Sequence, residues 1–309
     1  MPELDTVVLR DPESAMTATF VPGAGMIGTS FSDGDVEFLG QRRGLDAYLT
    51  NAKTMGIPLL YPWANRLGGN TYDVDGGLVT LSPGSGGVRV DDHGSPMHGV
   101  LAAYPGWLIT EQSSNSLTAA VDFSKPGLLA SFPFPHVLTQ RVTLSSRVLT
   151  VETCVRPSAS AAVPLCFGYH PYFTIPGVPR SDWVLETPAL RHLPTDSRGL
   201  PTGASESWAP LAGPLGDTAY DDGFDQVPDG AQFVLSGGDH RITVTFETGY
   251  PAAQLFAPPS DALVAIEPMA APTDALRRGG YRLAAPGRPA TSRFSISVQK
   301  GGSASHSVT

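Results

Sequence analysis

Cysteine is almost missing from this 309-residue chain, which holds only Cys154 and Cys166. Neither belongs to a C-x-x-C pair, so the usual thiolate metal motifs are excluded. Two buried free thiols in a reducing compartment are the expectation. Lysine is nearly as scarce: Lys53, Lys125 and Lys300 are the only three among 20 basic residues, and the arginines are scattered. With 29 acidic residues the net charge is -9. That balance opposes nonspecific binding to nucleic acid or anionic lipid, both of which reward basic surface. A run of about 18 apolar residues, the length of a membrane-spanning helix, is absent. The opening MPELDTVVLRDPESAM has acidic residues where a secretory leader needs a basic region and then an apolar one. A cytoplasmic protein with no membrane partner is therefore expected. Sustained helical periodicity is lacking too, which removes long helices from the fold.

Glycine and proline are plentiful instead, at 34 and 29 residues, and they punctuate short alternating runs. Residues 17–20, 78–81, 117–123, 137–144, 148–155, 163–167, 241–246, 254–256, 263–266 and 293–298 read as strands. The turn signals PGAG, SDGD, VDGG, SPGSGG, LSGGD and APGRP lie between them. TQRVTLSSRVLTVETCV reads as a hairpin with Ser145, Ser146 and Arg147 at its tip, and one or two short helical turns are expected, for example near residues 271–276. The pattern predicts an all-β fold, a single large antiparallel β-sandwich. No repeat or linker divides the chain. GLPTGASESWAPLAGPLGD, residues 199–217, reads as a long ordered loop because it holds Trp208. One domain over residues 1–300 is expected, followed by a small polar, disordered tail at 301–309.

Five stretches place ionisable residues at the ends of expected strands. In GIPLLYPWANRLGGNTY, Asn65 and Arg66 offer amide and guanidinium donors to a hydroxyl-rich ligand. A salt bridge bracing the loop is the plainer reading. In HGSPMHGVLAAYPGW, His93 and His98 lack the partners of a metal site, and His98 is the better placed at a pocket rim. In CFGYHPYF, Gly168 frees the backbone to turn and Pro171 restricts His170 to extended geometry. Histidine's ordinary pKa allows proton transfer near neutrality, while a core histidine bonded to a carbonyl is the alternative. In YDDGFDQV, Asp221 suits ligand hydroxyls better than calcium, because the later glutamate of an EF-hand loop is missing. In DALVAIEPMAAPTDAL an apolar strand delivers Glu267 at its end, with Pro268 expected to stop the ladder. A carboxylate there is costly unless paired or functional.

Taken together these stretches resemble the aldose 1-epimerase (mutarotase) family. NRL at 65–67, HG at 98–99, GYHPYF at 168–173, YDDGF at 220–224, AIEPM at 265–269 and LAAPG at 283–287 follow in the family's order. The resemblance runs from about Ala15 to Val298. It implies a single large β-sandwich, the galactose mutarotase-like supersandwich, whose concave face holds a pyranose, with no metal and no cofactor. It makes His170 the general acid and Glu267 the general base, and assigns sugar contacts to Asn65, Arg66, His98 and Asp221. Before His170 the chain has PLCFGY where galactose mutarotases carry an Asn-rich approach, a departure shared with shorter bacterial relatives.

The implied reaction interconverts the α and β anomers of a free hexose such as glucose or galactose. The C1 hydroxyl gives up its proton, the ring oxygen receives one, and the open aldehyde rotates before closing on its other face. An ionised Glu267 and a protonated His170 suit those tasks. Trp63, Phe173 or Phe224 would offer the sugar an apolar face. Two other readings stand beside this one: a noncatalytic sugar-binding or regulatory protein on the same fold, and a glycosidase or lyase in which Asp221 and Glu267 imitate a carboxylate pair.

Overall fold

The computed structural model describes residues 4–51, 53–74 and 77–300. Two large antiparallel sheets form the sandwich. One has nine strands in the order Leu108–Gln112, Ser116–Asp122, His136–Ser145, Val148–Pro157, Ala290–Lys300, His240–Thr248, Ala231–Gly237, Val184–Thr187 and Leu211–Pro214. The other runs Glu206–Trp208, Leu190–Leu193, Tyr220–Asp225, Ala252–Ala257, Val264–Met269, Gly168–Tyr169 and Leu59–Leu60. Tyr172–Phe173 pairs off this path, also onto Val264–Met269. A four-stranded sheet, Val7–Arg10, Met16–Val21, Ile27–Asp33 and Val36–Glu37, completes the larger elements.

Period-two patterning builds the core. In the hairpin of His136–Ser145 and Val148–Pro157, Leu138, Val142, Leu144, Leu149, Val151 and Val155 are fully buried together with Gln140 and Thr153, and the residues that alternate with this set are less so. Each such aliphatic side chain contributes about 1.5–3 kcal/mol by leaving water. Across the interior they join one cluster with Tyr169, Leu255, Val264 and Ile266 of the facing sheet. The hairpin tip is tighter than the sequence suggests. Ser145 stays on its strand, and only Ser146 and Arg147 turn, with φ of 51° and 64°. Asp11 secures them by accepting hydrogen bonds from both backbone N–H groups, at 3.0 and 2.7 Å.

Several expectations need correction. Residues 199–217 are not a loop throughout. Glu206–Trp208 edges one sheet and Leu211–Pro214 edges the other, so this segment carries the chain across the sandwich. The expected strand at 163–167 is broken: Val163–Leu165 pairs with Arg282–Ala284 before Gly168–Tyr169 enters the eight-stranded sheet. Pro268 does not stop its strand, because its carbonyl side still aligns with Ala253 and the strand continues to Met269. The helical turn lies at Ala275–Arg278, and a helix at Gly44–Asn51 was not expected. Both cysteines are free, but only Cys166 is buried, while Cys154 is half-buried. Part of the VDGG turn and the tail at 301–309 lie outside the described residues.

Candidate active site

Alternation decides which side chains leave the core. On Val264–Met269, Val264 and Ile266 join the main interior cluster, which turns Ala265, Glu267 and Met269 to the opposite face. On Ala252–Ala257, Ala253, Leu255 and Ala257 point inward, which leaves Gln254 and Phe256 beside Glu267. The register then aligns Asp221 with Phe256 and Gln254 with Glu267. Tyr169 is a core residue, bonded to Thr153 through its hydroxyl at 2.7 Å, so its successor His170 faces the other way. Gly168 makes the strand spacing possible. A Cβ there would lie 2.2 Å from Met269 Sδ and 2.9 Å from the Pro268 carbonyl oxygen.

His170 and Glu267 meet on this face. Nε2 of His170 is 3.1 Å from Oε1 of Glu267, and the two residues are only 7% and 1% exposed. The Tyr172 ring stacks on the imidazole at 4.3 Å, and its hydroxyl is 3.1 Å from the same Nε2. That hydroxyl also bonds Thr54 Oγ1 at 2.6 Å and accepts from Arg42 at 3.1 Å. Oε2 of Glu267 and Nδ1 of His170 are buried with no hydrogen-bond partner among the described residues. Burial holds the Glu267 carboxyl well above the usual range, with the nearby Asp221 charge adding and Arg66 opposing. Burial likewise holds His170 well below an ordinary histidine, with His98 and Arg42 adding. Both shifts favour the uncharged forms, carboxyl and imidazole, over an ion pair at this contact.

Asn65, Arg66 and His98 come from two loops that brace each other. Trp63 bridges Cys166, and the N–H of Ala64 donates to the Cys166 carbonyl at 2.8 Å. The His98 N–H donates to the Asn65 carbonyl at 2.9 Å. Both Asn65 and His98 sit in the left-handed region, with φ of 53° and 62°, where non-glycine residues cluster at functional sites. Gly99 follows with φ of 69°, and a Cβ there would fall 2.0 Å from the Tyr61 carbonyl oxygen. Nε of Arg66 bonds Asp91 at 2.9 Å, so the loop-bracing contact is real. The ring of His98 stands 5.8 Å from that of His170, and its Nδ1 has no hydrogen-bond partner among the described residues. Burial first, and then the charges of Arg66 and Arg89, push its pKa down to about 3. His98 is therefore neutral near pH 7.

Asp221 accepts a hydrogen bond from Gln254 Nε2 at 2.8 Å, which ties it to the neighbourhood of Glu267. Its neighbour Asp222 points to the other face and contacts His192 Nε2 at 3.0 Å. The arrangement can accept and donate protons at one buried point, surrounded by amide, guanidinium and imidazole groups. Among the described residues no group of three or more His, Cys, Asp or Glu is placed to hold a metal ion.

The aldose 1-epimerase family model matches residues 5–308. The chain belongs to this family. Among solved structures, the Slr1438 protein of Synechocystis sp. PCC 6803 is 22% identical with a TM-score of 0.78, over 96% of each chain. The aldose epimerase homologue from C. elegans is 16% identical with a TM-score of 0.79, covering 97% of this chain and 100% of its own. Galactose 1-epimerase from Lactobacillus acidophilus NCFM is 14% identical with a TM-score of 0.75, over 97% and 100%. At such identities these structures speak for the fold. No curated protein matches the sequence.

Within this member of the aldose 1-epimerase family, the structure corrects the aromatic candidates. Trp63, Phe173 and Phe224 are at most 1% exposed and belong to the core cluster, so none is a platform for a ligand. Phe256 is instead partly exposed on the face of Glu267, 5.9 Å from the His170 ring. The signal for it was alternation with Gln254. Arg42, Thr54 and Tyr172 also escaped the sequence reading. Tyr172 lay inside a quoted motif, but Arg42 stands 130 residues away from it, and no local pattern links the two.

Proposed function

We propose that the protein is a mutarotase that interconverts the α and β anomers of a hexopyranose with a free C1 hydroxyl, glucose and galactose being the simplest cases. The contact between His170 Nε2 and Glu267 Oε1 carries this reading, because it joins an acid and a base at a buried point with unpartnered polar atoms. One proton crossing that contact converts the resting pair into ionised Glu267 and protonated His170. Glu267 then takes the C1 hydroxyl proton while His170 protonates the ring oxygen, and the C1–O5 bond breaks. The pair is left with a protonated carboxyl and a neutral imidazole, the distribution that burial favours. Rotation about C1–C2 and the same transfers in reverse close the ring on the other face. Asn65, Arg66, His98 and Asp221 are assigned to the sugar hydroxyls, with Phe256 against an apolar face of the ring.

Polarimetry on freshly dissolved α-glucose and α-galactose tests the reading. Acceleration proportional to enzyme concentration supports it. A rate equal to that of buffer for every aldose tried would leave a binding protein on the same fold.

A further inference from the structure

A phenylalanine would stack on His170 as well as Tyr172 does, so the hydroxyl of Tyr172 is the part that needs a reason. The backbone pins this buried residue between two distant segments. Its N–H donates to the Gly56 carbonyl and its own carbonyl accepts from the Gly40 N–H, both at 2.9 Å. Two residues before Gly56 stands Thr54, and two after Gly40 stands Arg42. Arg42 takes a left-handed φ of 42°, and its guanidinium lies 5.2 Å from the centre of the Tyr172 ring. The pinning thus delivers Thr54 Oγ1 at 2.6 Å and Arg42 Nη1 at 3.1 Å from the hydroxyl, with Nε2 of His170 also at 3.1 Å. Apart from Glu267, only Tyr172 offers that nitrogen a hydrogen-bond partner among the described residues.

Counting protons limits what this cluster can do. A phenol has one proton and two lone pairs, and a guanidinium only donates, so Arg42 occupies one lone pair in every state. Two arrangements remain. In the first, Thr54 donates to Tyr172 and the phenol proton turns toward a bare Nε2. In the second, the phenol proton turns to Thr54, and the freed lone pair accepts from an Nε2–H. Burial pushes the Tyr172 pKa up to about 12, so the group stays a hydroxyl throughout. Passing from one arrangement to the other rotates two hydroxyl bonds, and no proton changes owner. The second arrangement matters more, because a hydrogen bond from an ionised donor is roughly twice as strong as one between neutral groups. It therefore favours the imidazolium, which burial, His98 and Arg42 all oppose.

We propose that Tyr172 is a positioning residue for His170, and that its hydroxyl, reversed by Thr54 and held by Arg42, lets the imidazole take up a proton during turnover. This rests on the mutarotase reading above. The other charged groups bearing on the pair are Asp221 and Arg66, which act on Glu267, and Asp261, which pairs with Arg42 at 3.4 Å. Tyr172→Phe keeps the stacked ring and removes the hydroxyl. Its kcat should fall about tenfold or more with KM near parental, the scale of one charge-assisted hydrogen bond. The acid limb of kcat/KM should move to lower pH, because the imidazolium has lost an acceptor. Thr54→Val takes away the partner that lets the phenol reverse, so it should reproduce both changes, and Thr54→Ser should recover them. Adding Thr54→Val to Tyr172→Phe should cost little more, since both act through one hydroxyl. A folded Tyr172→Phe protein with parental kcat and an unmoved limb would overturn the proposal, as would full additivity of the two substitutions. A lower Tm with an unmoved limb would make Tyr172 a packing residue alone. Should the parent turn over no sugar, the mutarotase reading fails, and NMR of the His170 ring nitrogens still decides. An Nε2 resonance displaced by Tyr172→Phe and Thr54→Val, and restored by Thr54→Ser, upholds the positioning role; any other pattern removes it.

Discussion

His170 lies between two short strands, Gly168–Tyr169 and Tyr172–Phe173, that both pair with the strand of Glu267. The register that sets Gly168 against Met269 and Tyr172 against Ala265, carried through Pro171, places His170 opposite Glu267. Their separation is therefore set by the sheet pairing on either side of His170, and opposed positions of neighbouring strands approach closely. Two ionisable groups held this way need little reorganisation before a proton passes between them.

Glu267→Gln replaces a carboxyl that burial keeps protonated with an amide of nearly the same shape. The fold should be retained. In the unfolded chain Glu267 ionises with an ordinary pKa of about 4.3, whereas in the native protein it holds its proton to higher pH. Native stability therefore falls as pH rises above that value, and the glutamine variant should be at least as stable as the parent at pH 8. Its turnover should drop about 10²–10⁴-fold. Near-parental turnover in a folded variant would remove Glu267 as the base.

His170→Asn should lose about 10²–10⁴-fold in kcat within the folded fraction. The pH profile provides a second measurement. The active form carries one proton on the pair, so kcat/KM should fall at low pH when a second arrives and at high pH when the first departs. Because burial moves Glu267 up and His170 down, the plateau between the limbs should be broad. The limbs belong to the coupled pair, and replacing His170 should displace at least one of them. A variant that keeps turnover and both limbs would make His170 a core histidine.

Arg66→Ala removes the partner of Asp91, which still accepts from the backbone N–H groups of His93 and Ser95, each at 2.9 Å. The loop should therefore hold, and KM for the sugar should rise. If KM and kcat both stay at parental values, Arg66 is a brace alone.

His136 gives a stability prediction away from the site. Its Nδ1 donates to the Phe134 carbonyl and its Nε2 accepts from the Tyr61 hydroxyl, both at 2.6 Å. Burial pushes its pKa down to about 4, against about 6.5 in the unfolded chain. The unfolded state binds more protons between these values, so stability is complete above pH 6.5 and is lost progressively down to pH 4. His98 and His170 act with the same sign. Thermal unfolding across pH 4–7 should show this slope, and His136→Gln should reduce it without abolishing it. An unchanged slope would count against a neutral buried His136.

The sandwich was legible because alternation and Gly/Pro turns report strands locally. His170 and Glu267 stood out because each ends an apolar run beside a proline. What a sequence withholds is the face. Asp221 and Asp222 are equivalent as letters, and only pairing with Ala252–Ala257 turns one to Glu267 and the other to His192. The same gap led to Trp63, Phe173 and Phe224 in place of Phe256. The helix Gly44–Asn51 escaped because Tyr48 is its only buried residue, too little for a periodic signal. The edge strands within 199–217 were hidden by the glycines and prolines around them.

Tyr61 has a consequence for engineering. Its carbonyl accepts from Val100 and Leu101, which anchors the segment after His98, while its hydroxyl reaches across the sandwich to His136 on the nine-stranded sheet. The loop that carries Asn65 and Arg66 is thus pinned from behind by a sheet that never touches the site. Grafting that loop onto another sandwich would require transplanting the Tyr61–His136 bond with it, and redesigning the remote sheet around residue 136 would retune the loop without altering a single ligand-facing side chain.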